Sequence, residues 1–457
     1  MILAFPHKRS PALRRASKFL AALWIIALFF PGAADSSATS EIASPVEQTQ
    51  SLGELNAVEP DLPVNPETAT PLPAAPAWNT TEAVSPVERR FRYTLRLTIR
   101  GLYDDNINVS QTNRVSDFIT AIEPGVMLGV GDVIARQENY LGFEYAPSIF
   151  LYNEHTEANA VQHLVHLDGQ YRFSRLTMSL LQDIQILDGA NLDIATNSGP
   201  VNDRINLDVS GRTKVNIFTT RLNAAYYLTG KTFLSSQLGA TINDYESLIS
   251  SRTIFGNLFL NYAFSQKLTV GVGGGAGYNI VDDPNPGEKF EEANVRLTYD
   301  LSGKVTMNIS AGVEFREGDQ SSSGTYVSPV FQIGFTYQPF DGTSIRLDAT
   351  RSTSSSAVLA GEDYSVTSFT VGARQRLLQR VYLGATVGFE SSDYFSVGNG
   401  VSSNRTDHYY FLQPAIDVSV TRFWTVGAYY LRRHNSSSFD SFNFYDTQVG
   451  FRTSLTF

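Results

Sequence analysis

Residue types that carry catalytic or metal chemistry are sparse in this 457-residue sequence. There is no cysteine, which excludes disulfides, thiolate metal sites and thiol nucleophiles. Among the six histidines, the close pair His163 and His166 has an odd spacing, which places the two side chains on opposite faces of a strand. That spacing disfavours a shared metal site, so we predict no metal ligands and no cofactor.

Hydrolytic chemistry also lacks a motif. Serine and aspartate are frequent in polar stretches, but no G-x-S-x-G segment places a nucleophile beside a base. The acidic pairs Asp104-Asp105 and Asp282-Asp283 lack the one-three-five oxygen spacing of a calcium loop. We therefore predict that the protein is not an enzyme.

From Phe91 onward the sequence alternates between apolar and polar residues with a period of two, which is typical of strands. The segments that show this alternation are 91–100, 293–300, 305–316, 331–338, 381–390 and 445–457. They extend to about 10–14 residues, whereas strands of soluble proteins average about 5–6. Short turns alternate with longer Ser/Asn/Asp-rich loops, and aromatic residues lie beside the short turns. Together these features predict a barrel that spans the outer membrane of a Gram-negative-type bacterium.

The positions of the predicted turns and loops divide the sequence into about eighteen strands. Strands are predicted to start near residues 91, 117, 139, 161, 175, 214, 232, 252, 267, 289, 304, 326, 342, 364, 380, 407, 422 and 443. The fold class is therefore all-β, a transmembrane antiparallel β-barrel over 89–457, with sixteen strands as the alternative. Residues 200–213 fit either a loop or a strand. An even number of strands puts both termini in the periplasm.

Two segments precede the predicted barrel. Residues 1–34 carry five bases, a 12-residue apolar run and a small-residue Ala33-Ala34 end, which predicts a cleaved signal peptide. Residues 35–88 hold nine acids, no base and eight prolines, which predicts a disordered periplasmic linker. Removing five bases changes the formal charge from -10 to -15. Such an acidic chain is not expected to bind nucleic acid, because phosphate contacts require Lys and Arg.

The apolar face of each strand must point to lipid, because Lys or Arg there costs about 2–4 kcal/mol at mid-membrane. Charged residues in phase with the opposite face are predicted to line the lumen: Arg96, Glu144, Asp183, Arg296, Asp300, Arg346, Asp348, Arg374, Arg376, Glu390 and Asp417. Tyr382, Tyr409 and Phe411 share that face. Barrels of this size leave room for water, so we predict an open or gated channel. The alternative is a plugged lumen in which these charges only satisfy one another.

The last strand ends on an aromatic residue. Phe451, Leu455 and the terminal Phe457 share one face, an arrangement that resembles the signal by which the barrel assembly machinery recognises its substrates. We therefore expect that machinery, outer-membrane lipid and lipopolysaccharide as partners.

A short motif follows the first strand. Tyr103-Asp104-Asp105-Asn106, followed by Asp117-Phe118 and Pro124-Gly125, resembles the outer-membrane family named putative β-barrel porin 2, as does the turn 227–233. The resemblance implies a role in exporting an exopolysaccharide or capsule polymer, with periplasmic export components as partners. The alternatives are a general solute porin, a structural barrel and, last, an outer-membrane hydrolase.

Overall fold

The computed structural model describes most of the chain from Phe91 onward. The described residues are 91–131, 133, 139–189, 206–209, 211–282, 285–301, 304–319, 324–396 and 402–457. The predicted signal peptide, 1–34, and the predicted linker, 35–88, lie outside these ranges.

The described residues form eighteen strands, which confirms the predicted number. They are β1 Phe91–Asp104, β2 Asp117–Gly131, β3 Tyr140–Tyr152, β4 Ala160–Arg172, β5 Leu176–Gly189, β6 Thr213–Tyr227, β7 Thr232–Tyr245, β8 Ser251–Ala263, β9 Leu268–Val281, β10 Glu288–Asp300, β11 Val305–Gly318, β12 Tyr326–Tyr337, β13 Thr343–Ser355, β14 Glu362–Leu377, β15 Val381–Ser396, β16 Thr406–Ser419, β17 Trp424–Ser437 and β18 Phe444–Thr456. Every strand starts within two residues of its predicted position.

Two single-turn 3₁₀ helices, Thr156–Ala158 and Asp440–Phe442, lie between strands. No helix in the described part of the chain is long and apolar enough to cross a membrane.

Each strand pairs antiparallel with the next, and β18 pairs with β1, so the sheet is closed. Leu95 and Phe457 complete the closure by exchanging two backbone hydrogen bonds of 2.9 and 2.8 Å. Closure is what a lipid environment requires, since hydrocarbon offers no hydrogen-bond partner to a strand edge. The fold is therefore the predicted all-β antiparallel barrel.

The two faces of the wall differ in chemistry. On β1, Tyr93, Leu95 and Ile99 are 42–63% exposed on the outside, whereas Thr98 and Arg100 are buried on the inside. The same alternation of exposed apolar and buried polar residues runs along most of β18. Along β10 and β16 exposed and buried residues also alternate, but each set mixes polar and apolar side chains. The outer surface is therefore apolar and suited to lipid, and the lumen is polar.

The two ends of the barrel also differ. Both termini of the barrel and eight connections lie at one end, here called the turn end; seven of these connections have three to five residues and the eighth is 132–139. The other nine connections, of 5 to 23 residues, lie at the opposite end, here called the loop end. Exposed aromatic side chains ring the turn end: Tyr171, Phe173, Tyr262, Phe264, Tyr337, Phe340, Phe423 and Trp424. Aromatic rings in this position are typical of a membrane–water boundary.

Candidate functional site: the lumen and its loop-end mouth

All eleven residues that the sequence predicts for the lumen lie on the inward-facing positions of their strands. Several of their charges are paired across strands or along one strand. The shortest N–O distances are 3.3 Å for Arg96 to Glu144, 2.7 Å for Arg346 to Asp348 and 2.6 Å for Arg452 to Asp417. Such pairs hold the side chains against the wall and leave a polar surface.

Two lumen guanidinium groups, those of Arg296 and Arg374, contact aromatic rings. Arg296 lies 4.3 Å from the ring centre of Phe259 and donates to Asn261 Oδ1 at 2.7 Å. Arg374 lies 4.8 Å from the ring centre of Tyr382. Neither makes an ion pair with a carboxylate in the described part of the chain. Aromatic rings, and for Arg296 an amide oxygen, therefore hold these two cations in place of carboxylates.

Four glycines of β9, Gly271, Gly273, Gly275 and Gly277, face the lumen at alternate positions, as the sequence pattern indicates. Aromatic rings from the neighbouring strands lie against two of them, Gly273 and Gly277. A Cβ at Gly277 would lie 2.0 Å from the ring of Phe290, and one at Gly273 would lie 2.7 Å from the ring of Phe259. The glycines thus allow close approach of rings, which in turn support Arg296 and Arg316.

The two histidines of β4 lie on opposite faces, as their spacing predicts. His166 faces the lumen, with its Nδ1 2.5 Å from Asp183 Oδ1 and its Nε2 3.5 Å from Asp168 Oδ1. His163 faces outward, with its Nδ1 3.0 Å from the Tyr145 hydroxyl. They do not form a common site.

The mouth at the loop end contains a segment of the β5–β6 connection, residues 206–209. Asp208 of this segment is 1% exposed and binds groups far along the chain. Its carboxylate accepts hydrogen bonds from Ser356 Oγ at 2.7 Å, the Ala357 amide at 2.5 Å and the Tyr394 hydroxyl at 3.1 Å. The segment therefore crosses the mouth to the opposite wall instead of extending into solvent.

Arg405 binds the same segment from the other side. It is fully buried, donates to the carbonyl oxygens of Leu207 at 2.6 Å and Asp208 at 3.3 Å, and forms an ion pair with Asp407 at 2.6 Å. Its guanidinium carbon also lies 3.3 Å from the ring centre of Phe442. Asp208, Arg405 and Asp407, here called the mouth cluster, join the β5–β6 connection to the β15–β16 connection and the start of β16.

Burial raises the pKa of the Asp208 carboxyl above its usual range. The hydrogen bonds from Ser356 and Ala357 and the charge of Arg405 oppose this rise. The ionised form of Asp208 therefore depends on the partners that hold it in the mouth.

The motif at the end of β1 shapes the β1–β2 connection. Asn106 is fully buried, accepts from the Ser110 amide at 3.1 Å and donates to the Tyr445 carbonyl at 2.7 Å. Asp104 Oδ1 accepts from the Asn106 amide at 2.7 Å, whereas Tyr103 is exposed on the outside. The motif thus fixes a connection at the mouth.

Carboxylate oxygens of Asp104, Asp105 and Asp446 lie within 4.8 Å of one another. Arg433 forms an ion pair with Asp446, and Arg114 binds Asp105 at 2.7 Å. These guanidinium groups offset part of the negative charge, and the prediction that the protein binds no metal remains a prediction.

An apolar cluster fills the inside of the wall below this connection. Tyr409, Phe411, Tyr429 and Leu431 pack with Ile107 and Leu207, and all are less than 9% exposed. Tyr409 and Phe411 thus face inward as predicted but are packed against other side chains. The ring of Tyr382, near the turn end, instead contacts the guanidinium group of Arg374.

The sequence did not single out Asp208, Arg405 or Asp407. Asp208 and Arg405 lie in polar connections without periodicity, and 197 residues separate them. Asp407 is the second residue of β16. The available signal is weak: Arg405 is a lone base in the Ser/Asn-rich stretch 402–407. Residues 206–209 fall in the stretch 200–213 that the sequence left ambiguous.

The closed antiparallel wall, the apolar exterior and the charged lumen define the class of outer-membrane β-barrels. The family model that matches is described as "Putative MetA-pathway of phenol degradation" and covers residues 211–328. This match is to a different family from the porin 2 family that the sequence resembles, and it spans less than half of the chain. It includes the turn 227–233 but not the motif at Tyr103 that suggested that family.

No curated protein matches the sequence. Among solved structures, the outer-membrane protein OpdK of Pseudomonas aeruginosa is 12% identical, with a TM-score of 0.41, and the match covers 80% of this chain and 98% of OpdK. OccK2 (OpdF) of the same organism, solved with glucuronate, is 10% identical with a TM-score of 0.43, covering 80% and 97%. OccAB4 of Acinetobacter baumannii is 11% identical with a TM-score of 0.41, covering 81% and 99%.

Proposed function

We propose that this protein is a porin-like outer-membrane channel for small polar solutes, with a gated mouth at its loop end. The observation that carries the proposal is the mouth cluster. It holds residues 206–209 across a polar lumen by hydrogen bonds and by the ion pair of Arg405 with Asp208. These polar contacts can exchange for water when the segment moves, and Leu207 then leaves the apolar cluster in which it packs. Arg296 and Arg374 are the cations that an anionic solute meets further inside.

The orientation follows from the two ends of the barrel. Short connections face the periplasm and long connections face the outside in outer-membrane barrels. We therefore place the turn end, with both termini of the barrel, in the periplasm, and the mouth cluster at the cell surface. Lipid and lipopolysaccharide would contact the apolar exterior, and the barrel assembly machinery would recognise Phe451, Leu455 and Phe457.

Conductance of the purified protein in planar lipid bilayers tests the channel. Losing one partner of a buried ion pair costs about 3–5 kcal/mol, so Arg405→Ala should release residues 206–209. We expect the open fraction to rise roughly tenfold or more over wild type. Arg422→Ala is the matched control, because Arg422 is exposed in a turn at the opposite end. Absence of conductance in wild type and in Arg405→Ala would refute the channel.

Export of an exopolysaccharide or capsule polymer, implied by the motif at Tyr103, is the alternative. A polymer needs a continuous wide passage, so the occupied mouth favours small solutes. A deletion strain separates the two functions. Slower uptake of small solutes with unchanged polysaccharide in the medium supports the proposal, whereas loss of external polysaccharide with normal uptake supports export.

A further inference from the structure

The barrel wall is incomplete between β12 and β13. These strands pair over seven residues, 331–337 with 345–351, the shortest ladder among the described strands. Toward the loop end, 326–330 of β12 pair with β11 but with no described residue of β13. Residues 352–355 of β13 pair with β14 alone among the described strands. The wall therefore divides halfway along this seam.

Beyond the division, the end of the β13–β14 hairpin, residues 352–366, lies inside the barrel. Asn279 Nδ2 of β9 donates to Ser355 Oγ at 2.5 Å, and Arg316 of β11 binds Asp363 at 3.0 Å. The Ile249 amide, in the β7–β8 connection, donates to the Ala357 carbonyl at 2.9 Å. None of these partners is on a strand adjacent to β13. The hairpin end has therefore folded beneath the inner surface of β9–β12.

This overlap between two layers of the wall is polar. Arg316 is 2% exposed and binds Glu288 and Glu314 as well as Asp363, at 2.9–3.0 Å. Within the overlap, Thr353 Oγ1, Ser365 Oγ and Asp363 Oδ1 are buried without a hydrogen-bond partner among the described residues. Buried groups without partners favour an arrangement in which water or backbone reaches them.

The register permits a second position for the hairpin end. If the β12–β13 ladder continued without a shift, Ser352 would oppose Val330 and Ser355 would oppose Val327. The face that carries Thr353, Ser355, Asp363 and Ser365 would then point outward at the loop end, where water is available. Pro329 has no amide to donate, so this extended ladder would lack one bond and would be only moderately stable.

We propose that the hairpin end is the moving part of the gate, exchanging between the inward position and a wall position in which β13 pairs with β12 along its full length. In the wall position Asp208 loses its partners Ser356 and Ala357, so only Tyr394 and Arg405 still bind residues 206–209. Departure of the hairpin end from the lumen widens the mouth. This inference rests on the proposed channel function.

Engineered disulfides test the movement, because the chain contains no cysteine. Asn279→Cys with Ser355→Cys joins side chains that lie 2.5 Å apart in the inward position. Val327→Cys with Ser355→Cys joins positions that face each other only in the wall position, because Ser355 is bonded to Asn279 of β9 in the inward position. Thr269→Cys with Thr298→Cys is the control, because these directly paired residues of β9 and β10 lie away from the overlap.

We expect oxidation of the Asn279/Ser355 pair to reduce the open fraction in planar bilayers at least tenfold, reversibly on reduction. Oxidation of the control pair should leave the open fraction unchanged. The Val327/Ser355 disulfide should form and hold the channel open. Equal conductance of the oxidised and reduced Asn279/Ser355 variant, or no Val327/Ser355 disulfide, overturns the gate while the channel stands. If no variant conducts even when reduced, the channel function fails, and the Val327/Ser355 disulfide alone decides whether the hairpin moves.

Discussion

At the scale of single residues, small side chains determine where the charged ones can lie. Gly277 of β9 leaves space for the ring of Phe290, and that ring lies 5.3 Å from the guanidinium carbon of Arg316. Arg316 in turn binds the three carboxylates of the overlap. One missing Cβ on β9 therefore supports an ion-pair network whose arginine lies two strands away, on β11.

The variant Gly277→Ala should be destabilised, because its Cβ would lie 2.0 Å from the Phe290 ring. Overpacking of this kind costs about 1–3 kcal/mol. The measurement is the urea concentration at which half of the protein is unfolded. The folded barrel is recognised by its faster migration on an unheated denaturing gel. Gly230→Ala is the control, since a Cβ there meets nothing within 4 Å. A midpoint equal to that of wild type in Gly277→Ala would show that the ring can move freely.

At the scale of elements, the last strand completes the wall. β18 pairs with β17 on one side and with β1 on the other, and Phe457 extends the second ladder by its two bonds to Leu95. The Phe457 side chain is 65% exposed at the turn end, 5.7 Å from the ring of Phe423. The terminal residue thus contributes both backbone closure and an aromatic group at the proposed periplasmic boundary.

Deleting Phe457 should slow assembly, because the ladder that closes the barrel loses two hydrogen bonds and the terminal ring. We expect the fraction of folded, heat-modifiable protein in the outer membrane to be several-fold lower than for wild type after a short induction. Phe340→Ala is the control, because Phe340 is 74% exposed in a turn at the same end but does not close the wall. Assembly of the deletion variant at the wild-type rate would remove Phe457 from the recognition signal.

At the scale of the whole molecule, stability depends on which solvent each face meets. Adjacent residues of β15 illustrate this, since Val387 is 44% exposed on the outside and Thr386 lies on the inside. In lipid the outside offers no partner to a charge, whereas the lumen offers water and carboxylates.

Val387→Arg should therefore destabilise the barrel by about 2–4 kcal/mol in a bilayer. Thr386→Arg, one residue away, should change stability by less than about 0.5 kcal/mol. Unfolding by guanidinium in lipid vesicles measures both values. If the two variants lose equal stability, the outer face is not in contact with hydrocarbon.

Much of the fold follows from the sequence by itself. Alternation is a local property, because each residue faces lipid or lumen according to whether its position in the strand is odd or even, here called its parity. Phe91 to Arg100 already distinguish the two faces in this way. Turn residues interrupt the alternation, which is why all eighteen strands start within two residues of their predicted positions. The inward positions of Arg96, Arg296 and Asp417 follow from the same parity.

Only the tertiary structure decided what occupies the mouth. The stretch 352–355 is polar on both faces, so parity does not distinguish inside from outside, and the sequence predicts the next strand only from near residue 364. Asp208 meets Ser356 and Arg405 across separations of 148 and 197 residues, and no periodic pattern links such positions. Their contacts depend on closure of the whole barrel, which brings distant connections to one end and lets one hairpin fold beneath the wall.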